Sequence, residues 1–266
     1  MHISTITYYG NFSIEPVTYI LNTPSIWETV LNHILSEISF YGYVGIDIDF
    51  EYINPEDSLK YAAFVSYLKE NLNPYGYIVI TALAPKTSSD QKGVLYEGHN
   101  YRALGEASNF VFIMTYEWGY TYGPPMAVAP IPSVRRVLDY AITEIDPNKI
   151  LMGIPSYGYD WTLPYAKGGP AARSISVDEA VMLALRYQAE IRFDDFSQSP
   201  YFYYTDEAGN VHEVWFEDAK SVLEKLRLVE EYKFAGCGYW NLERPFVQSY
   251  MIINNLYRIA EFPFAF

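Results

Sequence analysis

An α/β barrel is the fold class that the sequence predicts, and three observations point to it. Strand-like and helix-like segments alternate along most of the chain, which implies a parallel sheet with right-handed crossovers. Residues able to do chemistry cluster at the expected C-terminal ends of the strands, where a closed barrel presents its working side chains. The length of 266 residues also suits one such barrel, which needs about 250, so a second core is not required.

Residues 2–9 are β-branched and aromatic and read as the first strand, ended by Gly10 and Asn11. Residues 25–39 read as a helix with Ser25 as its N-cap. Residues 43–51 form the next strand, and its pattern is unusual: Asp47, Asp49 and Glu51 alternate with Ile46, Ile48 and Phe50. A period of two places all three carboxylates on one face and the apolar residues on the other. Buried together, the acids raise one another's pKa values and favour a shared proton, which makes a proton donor. A solvated acidic strand or a divalent-cation site is the alternative, although hard-cation sites usually draw their ligands from loops.

The alternation continues. Residues 54–57, Asn-Pro-Glu-Asp, open a helix to about residue 71, with Tyr61, Phe64, Val65 and Leu68 at helical spacing. Strand 77–84, a loop at 85–91, helix 101–107, strand 110–116, helix 134–145 and strand 148–157 follow in turn. Between residues 162 and 216 the rhythm breaks. A helix at 177–187 and two strands at 201–205 and 211–216, joined by Asp-Glu-Ala-Gly-Asn at 206–210, predict a small α+β insertion inside one domain spanning 1–266. Helix 217–230, strand 234–241 and helix 246–260 close the chain. The strands outside the insertion number about six, whereas a closed barrel of this type has eight.

Composition narrows the partners. A formal net charge of -14 repels nucleic-acid phosphates and anionic membrane surfaces. Aromatic residues make up 18%, with 27 tyrosines, and flat amphipathic rings of this kind suit sugars. The single cysteine, Cys237, cannot form an intrachain disulfide and reads as an inert packed thiol in a run of small residues. No stretch reaches the about 18 apolar residues of a membrane span, and residues 1–10 lack the pattern of a signal peptide. His99 and His212 read as a loop and a hairpin-surface histidine, since neither has a metal-ligand partner at the usual spacing; no metal or organic cofactor is expected. The Ser, Thr and Asp residues of loop 87–91 suit sugar hydroxyls or an ordinary turn.

Asp47-x-Asp49-x-Glu51, Met114-x-Tyr116 and Trp240 on the last strand resemble the signatures of family 18 glycoside hydrolases, the chitinase-like TIM-type (β/α) barrels. The runs at 82–86, 114–120, 123–130 and 214–219 resemble the branch of spore cortex-lytic and germination-related N-acetylglucosaminidases. The resemblance spans essentially the whole chain. It implies that strand 2–9 is the third strand of the barrel, that the first two βα units are absent, and that the insertion lies between the seventh and eighth strands. Val44 and Glu117 depart from the broader family, which often has Asp at both positions; Glu117 agrees with the cortex-lytic branch.

Residue by residue, the resemblance implies that Glu51 is the general acid/base. Asp49 would orient and charge-stabilise the 2-acetamido group of the substrate, whose carbonyl oxygen attacks the anomeric carbon in the substrate-assisted exception to the two-carboxylate rule. Asp47 would sit deeper and modulate that pair, Tyr116 would donate to the acetamide carbonyl, and Trp240 would floor the sugar subsite. Glu117, Tyr157, Asp160 and Trp161 would line the cleft or anchor its loops. The implied reaction is retaining hydrolysis of β-1,4-linked N-acetylglucosamine in spore-cortex peptidoglycan or a chitin-like polymer, at the spore envelope or cell wall. A lectin-like glycan binder or an inactive remnant is the competing reading. The oligomeric state is open.

Overall fold

A computed structural model describes residues 1–4, 7–8, 11–241 and 243–257. The C-terminal part of the predicted first strand and of the predicted last helix therefore falls partly outside the described residues. The elements run β1 (His2–Ser4), β2 (Thr7–Tyr8), β3 (Asn11–Phe12), α1 (Glu15–Asn22), α2 (Trp27–Tyr41), β4 (Gly45–Asp49), α3 (Ser58–Leu72), β5 (Ile78–Leu83), α4 (Tyr101–Ala107), β6 (Phe110–Ile113), α5 (Ile131–Glu144) and β7 (Ile150–Pro155). They continue with β8 (Tyr157–Leu163), β9 (Arg173–Ser176), α6 (Val177–Arg186), β10 (Arg192–Asp194), β11 (Ser199–Thr205), β12 (Val211–Trp215), α7 (Ala219–Glu231), β13 (Gly236–Trp240) and α8 (Val247–Leu256).

Six strands form the main sheet in the order β1-β4-β5-β6-β7-β13, and every neighbouring pair is parallel. Helices connect them, so the sheet is the predicted (β/α) architecture with six strands where a closed barrel has eight. Among the described residues it ends at β1 on one side and β13 on the other. Exposed apolar residues include Phe40 and Tyr41 at the end of α2, Val44 before β4, and Val247 and Met251 on α8.

Local chemistry explains most of the elements. The helix α3 carries Tyr61, Phe64, Val65, Leu68 and Leu72 on one buried stripe, and Phe64 packs on Phe50 at 6.4 Å between ring centroids. Gly45 begins β4 because of a close approach: a Cβ there would lie 2.1 Å from the Ile78 carbonyl oxygen of β5. Two readings are corrected. Ser25 does not cap α2; residues 24–26 form a 3₁₀ turn and the side chain makes no capping bond, because Pro24 starts the turn ahead of the helix. Helix α1 falls where the sequence reading assigned no element; Pro16 stands in its first turn, where a missing N–H is harmless.

A second sheet, antiparallel, has the order β10-β11-β12-β8-β9. It takes in Tyr157–Leu163 and so begins ahead of residue 162. The β11–β12 connection is held by Asp206, whose carboxylate accepts from the Ala208 and Asn210 amides. Helix α6 starts with a Ser176–Glu179 capping box. Helix α7 begins at Ala219 with Asp218 as cap, because the carboxylate of Glu217 is withdrawn into the core, where it accepts from Lys225 Nζ at 2.8 Å and Ser221 Oγ at 2.6 Å.

Candidate active site

The site is built on the end of β4. Ile46, Ile48 and Phe50 are buried on the face that meets the helices, while the alternating acids face the interior of the sheet as the period of two requires. A cleft of about 960 Å³ opens there, and its lining includes His2, Asp49, Glu51, Tyr116, Glu117 and Trp240. Five of the nine residues singled out in the sequence thus share one cavity, although they come from β4, from β13 and from the loop after β6.

Burial sets the electrostatics. It pushes Glu51 up from 4.5 to about 7, helped by the charges of Asp49 and Glu117. Burial also pushes Asp49 up from 3.8 to about 6; the His2 side chain pulls it down and Asp47 pushes it up. Near neutral pH the pair therefore keeps a proton that two ordinary carboxylates would have lost. Asp47 is not the deeper of the two aspartates: its side chain is 37% exposed against 18% for Asp49. The sheet ends one strand away at β1, so the inner face is open on that side. The Oδ1 atoms of Asp47 and Asp49 are buried with no hydrogen-bond partner among the described residues.

Tyr116 is buried and faces this charge, which together with desolvation raises its hydroxyl pKa well above 10; the group is a fixed donor. Its ring occupies space that Gly153 of β7 leaves free, since a Cβ there would lie 2.8 Å from Tyr116 Cε1. The next residue, Glu117, has a left-handed backbone, φ 69°, and Tyr52, directly after Glu51, has φ 58°. Non-glycine residues in that region are strained, and both follow a strand end that delivers a side chain to the cleft. Glu117 accepts from the Tyr157 hydroxyl at 2.5 Å and from the Tyr159 hydroxyl at 2.9 Å. Trp240, at the end of β13, is 44% exposed and faces His2 across the open side, with ring centroids 6.3 Å apart. Its carbonyl accepts from the Ser156 amide at 2.9 Å, and its peptide bond to Asn241 is cis.

Tyr157, Asp160 and Trp161 do not line the cleft. Tyr157 stands behind Glu117 as its hydrogen-bond donor. Asp160 is buried in β8, where it accepts from Tyr204 at 2.8 Å and pairs with His212 at 2.8 Å. Trp161 is buried and donates to the Gly123 carbonyl at 2.8 Å. The reason is that residues 157–163 are a strand within the second sheet, buried on both faces through Trp161, and not a strand-end loop. His212 is accordingly a largely buried hydrogen-bond partner of Asp160 rather than a hairpin-surface residue.

His99 is not a loop-surface residue either. It is fully buried; Nδ1 accepts from the Ala84 amide at 2.8 Å, which leaves Nε2–H to donate to the Phe50 carbonyl at 2.8 Å. That staple ties the end of β5 to the residue before Glu51. Burial pushes its imidazole down to about 4. Loop 87–91 is bonded to itself, with Gln91 Oε1 accepting from the Thr87 amide at 2.6 Å. Burial pushes the Cys237 thiol up to about 11, which suppresses thiolate chemistry.

Sequence reasoning did not single out His2, Tyr52, Tyr96 or Tyr120, all of which line the cleft. For His2 the signal is the strand register, which sets it opposite Asp47 and is invisible before the strands are paired. Among the described residues no cluster of three or more His, Cys, Asp or Glu is placed to hold a metal ion, and no helix is long and apolar enough to cross a membrane.

Known proteins are similar to this chain in sequence and fold. Residues 20–244 match the profile of "Glycosyl hydrolases family 18". The chain is 44% identical over 250 residues to the "Cortical fragment-lytic enzyme" of Bacillus subtilis, covering 94% of this chain and 58% of that protein. The crystal structure of the Bacillus cereus spore cortex-lytic enzyme SleL superposes with a TM-score of 0.93 at 43% identity, covering 98% of this chain and 60% of that one. A chitinase from Chromobacterium violaceum gives 0.87 at 26% identity, over 97% of this chain and 80% of its own. The chain spans about three-fifths of the length of the cortex-lytic relatives. With its (β/α) sheet and the carboxylates at the end of β4, the chain belongs to family 18 of the glycosyl hydrolases.

Proposed function

We propose that the chain hydrolyses β-1,4 bonds that follow N-acetylglucosamine in peptidoglycan of the spore cortex, with retention and with the substrate's acetamide as nucleophile. The observation that carries this reading is the charge state of one strand end: Glu51 titrates near 7 and Asp49 near 6 inside a single cleft that also holds the Tyr116 hydroxyl. In this reading Glu51 gives its proton to the glycosidic oxygen and then takes one from the attacking water. The anionic Asp49 steadies the positive charge that grows on the acetamide nitrogen. Tyr116, held protonated, donates to the acetamide carbonyl and fixes its approach. Asp47 supports Asp49, Trp240 supplies a flat face for the sugar, and Glu117 with Tyr157 shapes the wall beside it. Asp160 and Trp161 act at a distance, by fixing the second sheet. Residues 1–266 work as one catalytic unit, with the second sheet and its helix, from Tyr157 onward, as an insertion, and the resemblance to cortex-lytic enzymes supports a place at the spore envelope or cell wall.

The polymer could equally be chitin-like, since both glycans present the same acetamide. A second reading, glycan binding without turnover, is favoured by the open side of the sheet between β1 and β13. Incubation with purified cortex fragments separates them. Reducing ends that accumulate with time, and fail to do so with Glu51→Gln, support hydrolysis; tight binding with no new ends from either protein refutes it.

A further inference from the structure

The imidazole of His2 stands between the two aspartates of β4. Nδ1 lies 2.9 Å from Asp47 Oδ2, and Nε2 lies 3.7 Å from Asp49 Oδ2. This follows from pairing: β1 runs parallel to β4 with His2 opposite Asp47 and Ser4 opposite Asp49, and the His2 and Ser4 side chains both line the cleft. We infer that His2 is a positioning residue whose protonated ring holds Asp49 as the anion, so that the proton of the site stays on Glu51.

The physical need is plain. Asp49 and Glu51 titrate near 6 and 7, so the two compete for one proton, and only the form with that proton on Glu51 can protonate a leaving oxygen while Asp49 remains charged. A cation beside Asp49 favours that form, while a neutral neighbour leaves it to desolvation, which favours the neutral acid. The titratable groups acting on the ring are Asp47 and Asp49 of β4 and the Met1 amine beside it. From the far side it meets the uncharged Trp240 ring. The hydrogen bond that the ring donates to Asp47 raises the His2 pKa above its ordinary 6.5, outweighing burial and the Met1 amine, which lower it, so the charged ring is favoured beside the two aspartates. A neutral residue at position 2 would push the Asp49 midpoint up towards that of Glu51.

The test is a ¹³C carboxyl titration of wild type, His2→Gln and His2→Ala by NMR. Gln keeps a donor for Asp47 and loses the charge, and a packing role alone would leave Asp49 where it is. The inference expects the Asp49 midpoint to rise by about one pH unit in both variants, with the acid limb of kcat/KM moving up alongside it. An Asp49 midpoint that stays put in His2→Gln overturns it, whatever His2→Ala does. The kinetic arm rests on the proposed hydrolysis and the titration does not: a wild-type protein that cleaves nothing removes the proposed function, while the NMR midpoints still decide the role of His2.

Discussion

Replacing Glu51 with Gln should make the protein more stable while removing its chemistry, and the size of the gain should depend on pH. Burial and two neighbouring charges raise the Glu51 pKa from 4.5 to about 7 in the folded chain. A raised folded pKa means that ionisation is disfavoured by folding. The penalty is absent below about 4.5, grows between the two midpoints, and is complete above about 7. At about 1.4 kcal/mol per unit, a shift of about 2.5 units sets a ceiling of about 3.5 kcal/mol. The cleft is partly open to solvent, which reduces this to about 2 kcal/mol. Gln mimics the protonated acid and so avoids the penalty. Urea unfolding followed by tryptophan fluorescence should therefore show wild type and Glu51→Gln alike near pH 4 and the variant about 2 kcal/mol more stable near pH 8.5, with unchanged m. Calorimetry on an N-acetylglucosamine oligomer should show retained binding while turnover falls by at least about 10³-fold. A variant that is equally or less stable at the higher pH would refute the claim that this carboxylate is held against its preference.

His99 works with the opposite sign, since its folded pKa of about 4 lies below its ordinary 6.5. Its contribution is complete above about 6.5 and fades as pH falls towards 4, by up to about 3.5 kcal/mol. The stability difference between wild type and His99→Gln should shrink across that window in urea titrations. Tyr116→Phe removes the fixed donor and should lower kcat by about 10²-fold with little change in melting temperature; equal loss in both would make Tyr116 a packing residue. Gly45→Ala places a methyl 2.1 Å from the Ile78 carbonyl, and should cost about 3 kcal/mol or more, read from the urea midpoint. Phe64→Ala on α3 should cost about 3–5 kcal/mol by the same measure, without moving the pH profile of turnover.

What was legible in the sequence was periodic. The acids at 47, 49 and 51 alternate with apolar residues, so their common face follows from geometry alone, and the stripe on α3 follows from its 3.6 period. Tyr116 and Trp240 could be placed at strand ends because the strands themselves were readable. What was not legible depends on pairing. The contact between His2 and Asp47 needs the β1–β4 register; Asp160 and Trp161 needed the knowledge that residues 157–163 pair with β12 and β9. His99 sits in an irregular stretch with no period to reveal its burial, and only the ends of β4 and β5, brought together, give both its nitrogens a partner. The deeper place of Asp47 was implied by the resemblance and not by any period in the sequence, and its greater exposure follows from its pairing with β1, where the sheet ends among the described residues.

The main sheet stops at β1 and β13 without a partner strand for either among the described residues. Each border leaves a row of backbone donors and acceptors able to template a further strand, and Phe40, at 80% exposure, stands on the helix that precedes β4. Concentration thus becomes a variable of the protein's behaviour. Light scattering over a concentration series measures this directly, and any association through these borders should be the same in wild type and Glu51→Gln, whose substitution lies away from both edges.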